Sequence, residues 1–218
     1  MRIRDIDFPE PLLASQRRRD LVIFAGAGVS IPPPSNYPDF KELAAKVGNG
    51  VLTRQDGEPI DRFLGRLYDK GVKVHNLVAT ILTDPLSRPN PLHSDLLKLF
   101  PSAATVRLVT TNFDRHFTKT ALDLFEGNGI CEFYEAPALP LGDSFNGIIY
   151  LHGSVDKTPE RLVLTDRDFG RAISLCLGSY SANGLNWWRF SPRRIRRFPF
   201  AERIELPKKL ILGLVASP

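Results

Sequence analysis

A doubly wound α/β fold built on a parallel sheet is the architecture predicted here, and three observations predict it. Residues 21–25, 105–110 and 147–151 are short apolar runs rich in β-branched residues, the pattern of strands buried on both faces. Amphipathic segments with helical spacing separate them, so the connections are crossovers and the strands run parallel. Each run stops abruptly in small or polar residues: Gly26-Ala27-Gly28-Val29-Ser30, then Thr111-Asn112-Phe113-Asp114, then His152-Gly153-Ser154. In open parallel sheets the carboxyl ends of the strands border the ligand crevice, so these three stretches are the candidate site.

The first 20 residues read as a polar lead-in, with Arg17, Arg18 and Arg19 a solvated patch. After the strand at 21–25, Gly26 and Gly28 lack a Cβ, which lets the backbone turn tightly and bring its N–H groups close to a diphosphate. As a dinucleotide fingerprint the turn is incomplete. Ile31 stands where a third Gly belongs, and Pro32, Pro33 and Pro34 prevent a helix from starting. A buried strand ending in a tight turn would use the same residues. Residues 31–39 form a proline-rich loop beside this turn, a candidate lid.

Helices are predicted at 40–47, at 61–68 with Phe63, Leu64, Leu67 and Tyr68 on one face, and at 74–82 with Val74, Leu77, Val78 and Ile81. Pro85, Pro89 and Pro91 precede a further helix at 92–100. A helix at 115–125 follows the second strand, ends at Gly127 to Gly129, and gives way to a looser stretch with Pro137 and Pro140. Beyond the third strand, a fourth is predicted at 161–164, before Thr165-Asp166-Arg167-Asp168, which has capping-box spacing with Asp in place of Glu.

A length of 218 residues suits one domain, or one domain plus an appendage, and 43% hydrophobic with 24% charged residues is the balance of a globular chain rather than a disordered one. No run reaches membrane-spanning length and the start lacks a signal-peptide core, so a cytoplasmic protein is expected, with no membrane partner. Cys131 and Cys176 have no paired spacing, so neither a disulfide framework nor a cysteine zinc site is suggested, and both read as reduced, partly buried thiols. The net charge is +5, yet residues 189–209 hold eight of the 29 basic and two of the 24 acidic residues. The remainder carries 21 against 22, so direct nucleic-acid binding by the main body is not expected.

Taken with their order, Gly26-Ala27-Gly28-Val29-Ser30, Thr110-Thr111-Asn112-Phe113-Asp114, Leu151-His152-Gly153-Ser154 and the intervening Pro38-Asp39-Phe40 resemble the motifs of the sirtuin (SIR2) superfamily. The resemblance covers roughly residues 21–171 and implies a Rossmann-like sheet that uses NAD. Lys41 stands where the deacetylases of the family carry Arg, and no cysteine pairs exist to build their four-Cys zinc module. The wording Thr-Thr-Asn-Phe-Asp, with Leu-Thr-Asp-Arg-Asp-Phe after it, is closer to the zinc-less SIR2-like domains of bacterial antiphage systems. Those domains hydrolyse NAD to nicotinamide and ADP-ribose, some beside short Argonautes or other sensor proteins, and the resemblance is compatible with homo-oligomers. It implies no metal.

Carried over residue by residue, the resemblance gives Asn112 and His152 catalytic roles, with Asp114 orienting ribose, carboxamide or water. Gly26, Ala27, Gly28, Ser30 and Thr111 would face the cofactor, with Asp39 reaching the nicotinamide from the loop. Asn112 supplies an amide with donor and acceptor, and His152 a base that is neutral near pH 7. Each has a structural alternative: Asn112 and Asp114 as caps of the next helix, His152 as a turn residue, Asp39 as a loop residue. His75, His93 and His116 are read as structural. Other functions compatible with the sequence are NAD-dependent deacylation or ADP-ribosyl transfer, and a non-catalytic NAD or ADP-ribose sensor. Residues 173–218 form an atypical basic tail, expected to be truncated or disordered relative to the family. Only Leu210 to Ser217 resembles the family's adenosine-side strand.

Overall fold

The computed structural model describes residues 9–136 and 145–172, together with the backbone of three short strands at 2–3, 6–7 and 211–214. Arg2–Ile3 (β1) and Ile6–Asp7 (β2) form a small antiparallel pair, followed by the helix Glu10–Arg17 (α1). The main sheet has five strands: Val22–Ala25 (β3), Arg107–Thr110 (β4), Phe133–Glu135 (β5), Gly147–Tyr150 (β6) and Ile211–Leu214 (β7). They lie in the order β5-β6-β4-β3-β7 and every pairing is parallel. The predicted doubly wound α/β, Rossmann-like architecture is therefore the one observed.

Register decides where the site falls. Ala25 pairs with Thr110, and Thr110 with Tyr150, so the three central strands end level. The residues that follow them leave the sheet side by side. Residues alternate between its faces: Ile23, Leu108, Ile148 and Tyr150 pack on one side in a core with Leu97, Phe100, Phe117 and Ala121. That layer belongs to the helices Pro91–Leu97 (α5) and His116–Leu124 (α6). Val22, Val109, Ile149 and Leu151 pack on the other face.

Between β3 and β4 the chain builds a separate helical lobe from Phe40–Gly48 (α2), Ile60–Asp69 (α3) and Val74–Leu82 (α4). Its core joins Leu43, Phe63, Leu64, Leu67 and Val78 to Phe113, Leu162 and Leu164. Phe113 thus pins the Asn-x-Asp stretch between sheet and lobe.

Two expectations are corrected. Residues 161–164 are not a strand: a single 3-10 turn, Pro159–Arg161, leads into an extended, unpaired segment. Leu162 and Leu164 are fully buried in the lobe's core, and Val163 donates its N–H to the His152 carbonyl instead of a neighbouring strand. The stretch before residue 136, read as irregular, contains β5, an edge strand of three residues. The tail expectation falls mostly on residues outside those described, 173–210 and 215–218. Within it, β7 pairs with β3 from Val22–Ile211 to Ala25–Leu214. Cys131 is buried, and that burial pushes its thiol up to about 11; Cys176 lies outside the described residues. Among the described residues no helix is long and apolar enough to cross a membrane.

Candidate functional site

After β3 the chain makes one 3-10 turn, Ala27–Val29, closed by Val29 N–H to the Gly26 carbonyl and Ser30 N–H to the Ala27 carbonyl. Gly26 has φ −107°, a conformation open to any residue. A Cβ there would meet Thr111 Oγ1 at 3.7 Å, an ordinary contact. The chain's own packing therefore does not require glycine at 26, and the missing side chain keeps clear the space in front of the strand ends. Gly26→Ala is accordingly expected to fold with stability within about 1 kcal/mol of the parent, as thermal melts would register.

Asn90, the N-cap of α5, anchors the loop that follows. Its amide donates to the Val29 carbonyl at 2.7 Å, the Pro32 carbonyl at 3.2 Å and Ser35 Oγ at 3.1 Å. The proline-rich loop is thus tied down next to the glycine turn.

Ser30 is the hub of a buried polar cluster. Its hydroxyl donates to Asp114 Oδ2 at 2.9 Å and accepts from Asn112 Nδ2 at 3.2 Å. A hydroxyl has one proton, so the His93 Nε2 contact at 3.2 Å is a donation from the imidazole, whose Nδ1 accepts the Asn90 N–H at 3.3 Å. Ser30, His93, Asn112 and Asp114 are all 4% exposed or less. Asp114 Oδ1 also accepts the His116 N–H at 3.0 Å, capping α6. Asn112 is oriented from both ends: its backbone N–H is held by Thr110 Oγ1 at 3.0 Å and its amide nitrogen by Ser30. Its Oδ1 is buried and has no hydrogen-bond partner among the described residues. Leaving such an acceptor dry costs about 1–3 kcal/mol.

Thr111 is half-buried at the end of β4, its N–H on the Ala25 carbonyl at 3.1 Å. Next to it, Leu151 N–H bonds the Thr110 carbonyl at 2.9 Å, which brings His152 to the neighbouring strand end. The His152 ring stands between Phe113 at 5.9 Å and Phe169 at 5.2 Å, both centroid distances. Asp39 is the N-cap of α2, accepting the Glu42 N–H at 2.7 Å. The structure thus brings Asn112, Asp114, Ser30, Thr111 and His152 to one sheet edge, with Gly26, Ala27 and Gly28 beside them. It gives Asp39, Asp114 and Ser30 partners within the chain.

Burial drives the electrostatics. It pushes His93, His116 and His152 down to about 4, in the last case against a backbone hydrogen bond with Thr111. Asp114 moves up, again by burial, partly offset by the His116 N–H and the Ser30 hydroxyl. The three imidazoles lie below their unfolded value of 6.5, so unfolding takes up protons and stability present above pH 6.5 is lost as pH falls toward 4. Asp114 acts in the opposite sense. Each proton contributes a slope of up to about 1.4 kcal/mol per pH unit. Urea midpoints measured from pH 7 to 4.5 should therefore fall steeply below about pH 6.

His93 and Asn90 are the site-supporting residues not singled out from sequence as such. Their signal was a helix-start spacing, Asn90 with His93 three residues on, which the structure shows as a reciprocal cap. Among the described residues no group of three or more His, Cys, Asp or Glu side chains gathers as a metal site.

The family described as SIR2-like domain matches residues 106–186, a span holding both the Asn112 and His152 motifs. The chain is also similar to the uncharacterized protein y4cA of Sinorhizobium fredii (strain NBRC 101917 / NGR234), at 26% identity over 188 residues. That similarity covers 76% of this chain and 15% of y4cA, so the chain spans a small part of its relative's length. The span that matches this family model takes in β4, β6 and both strand-end motifs.

Proposed function

We propose that the chain hydrolyses NAD to nicotinamide and ADP-ribose at the crevice between Asn112 and His152. One observation supports this: the Asn112 amide is locked from its nitrogen side by Ser30, while its buried oxygen has no partner among the described residues. A ribose hydroxyl or a water would complete that oxygen, and a SIR2-like domain suggests a nucleotide of the NAD class as the source.

The bond to break joins nicotinamide nitrogen to ribose C1′. Nicotinamide leaves with the bonding pair and becomes neutral, positive charge develops on the ribose, and water adds to C1′. Its surplus proton goes to His152, which is neutral at pH 7 because burial disfavours the imidazolium. Asn112 Oδ1 holds the ribose or the attacking water in line. Gly26, Ala27 and Gly28 give the diphosphate a close backbone approach. Ser30, itself bonded to Asp114, orients Asn112, and Asp39 caps α2.

The setting that the resemblance suggests is a cytoplasmic effector of antiphage defence, acting with a sensor or Argonaute-like protein. The length of y4cA accords with a domain that works within a larger chain or assembly. Incubating the protein with NAD, with and without an acyl-lysine peptide, tests the reaction class. Release of nicotinamide without the peptide supports hydrolysis. Release only with it would make the chain a deacylase.

A further inference from the structure

Residues 161–169 wrap the turn that carries His152. Val163 donates its N–H to the His152 carbonyl at 2.9 Å, and the Phe169 ring meets the imidazole edge-on, 85° between planes. Gly153 is left-handed at φ 78°, and an added Cβ would stand 3.1 Å from the Arg161 carbonyl oxygen. Turn and wrapping segment are thus in backbone contact, so displacing one displaces the other.

The helical lobe fixes that segment. Asp168 Oδ2 accepts the Thr165 N–H at 2.9 Å, the Thr165 hydroxyl at 2.8 Å and the Leu164 N–H at 3.3 Å. The same oxygen receives His75 Nε2 of α4 at 2.9 Å. Arg167 pairs with Asp69 of α3 at 2.9 Å, and a Cβ on Gly65 would come within 2.5 Å of Asp166 Oδ1. Three consecutive residues therefore dock on the α3–α4 hairpin. Of the two contacts, the Arg167–Asp69 ion pair is 63% and 51% exposed and contributes little, whereas the His75–Asp168 hydrogen bond is 9% and 16% exposed. His75 also packs edge-on against Tyr68.

We propose that the His75–Asp168 pair clasps the helical lobe to residues 161–169 and thereby positions the His152 imidazole, making His75 and Asp168 positioning residues for the site. The consequence for turnover rests on His152 acting as the base; the consequence for the imidazole's surroundings does not.

NMR titration of the histidine ring protons tests the clasp, with His152 assigned by the signal lost in His152→Gln. His75→Leu keeps the packing against Tyr68 and removes the donor. His75→Gln restores an N–H donor. In His75→Leu, Phe169 loosens, water reaches the ring, and the His152 titration moves up by about one pH unit toward its solvated value. In His75→Gln it stays within about 0.3 unit of the parent. In parallel, kcat for NAD cleavage should fall in the Leu variant with KM little changed, and recover in the Gln variant. A folded His75→Leu whose His152 titration does not move would overturn the clasp, as would an equal shift in His75→Gln. If the parent cleaves no NAD but the titrations behave as stated, the clasp stands and the proposed reaction fails.

Discussion

Asn112→Ala is expected to lower NAD cleavage by at least about 10²-fold while the protein keeps its fold. The two halves of that expectation have separate origins. Alanine removes a buried acceptor that has no partner among the described residues, and with it the group proposed to hold ribose or water. It also removes the donation to Ser30, worth about 1 kcal/mol, but relieves a dry oxygen that costs a similar amount. Stability should therefore change by less than about 1 kcal/mol. Urea unfolding read beside a nicotinamide-release assay separates the effects. Loss of activity accompanied by a large loss of stability would make Asn112 structural instead.

His152→Gln is expected to slow turnover by about 10²- to 10⁴-fold, the usual contribution of a positioned base. Its pH dependence is the sharper signature. Because burial holds the imidazole at about 4, the parent's kcat/KM should stay flat from neutral pH down to about 5 and fall below that. The Gln variant, with nothing to titrate there, should lose the acid limb. A parent profile breaking near 6.5 would mean that His152 is solvated, or that another group is the base.

Much of this was legible in the sequence because it rested on periodicity. The helices at 40–47, 61–68 and 74–82 agree with α2, α3 and α4 to within one residue at each end, since each buries one clear apolar stripe. The strand-end motifs were legible for a related reason: an apolar run that stops in polar residues must end at the sheet's edge. Register then brings Asn112 and His152 to adjacent ends. What periodicity could not supply was the partner of each polar group. Ser30 could have faced a diphosphate or the protein, and only the fold shows that its hydroxyl bonds His93, Asn112 and Asp114. The run at 161–164 has strand composition, but it lies against α3 and α4 and its Val163 N–H bonds the His152 turn, so no ladder forms. Three-residue β5 is too short for alternation to register.

The proposed reaction is cleavage of NAD by water at the strand ends that carry Asn112 and His152. Incubating the purified chain with NAD in ¹⁸O-labelled water and analysing products by mass spectrometry tests it most directly. Nicotinamide and ADP-ribose are expected in equal amounts, the ADP-ribose carrying label at C1′, with neither formed by Asn112→Ala. NAD recovered intact, bound or not, under conditions where the parent is folded, would contradict it and leave a nucleotide-binding domain without turnover.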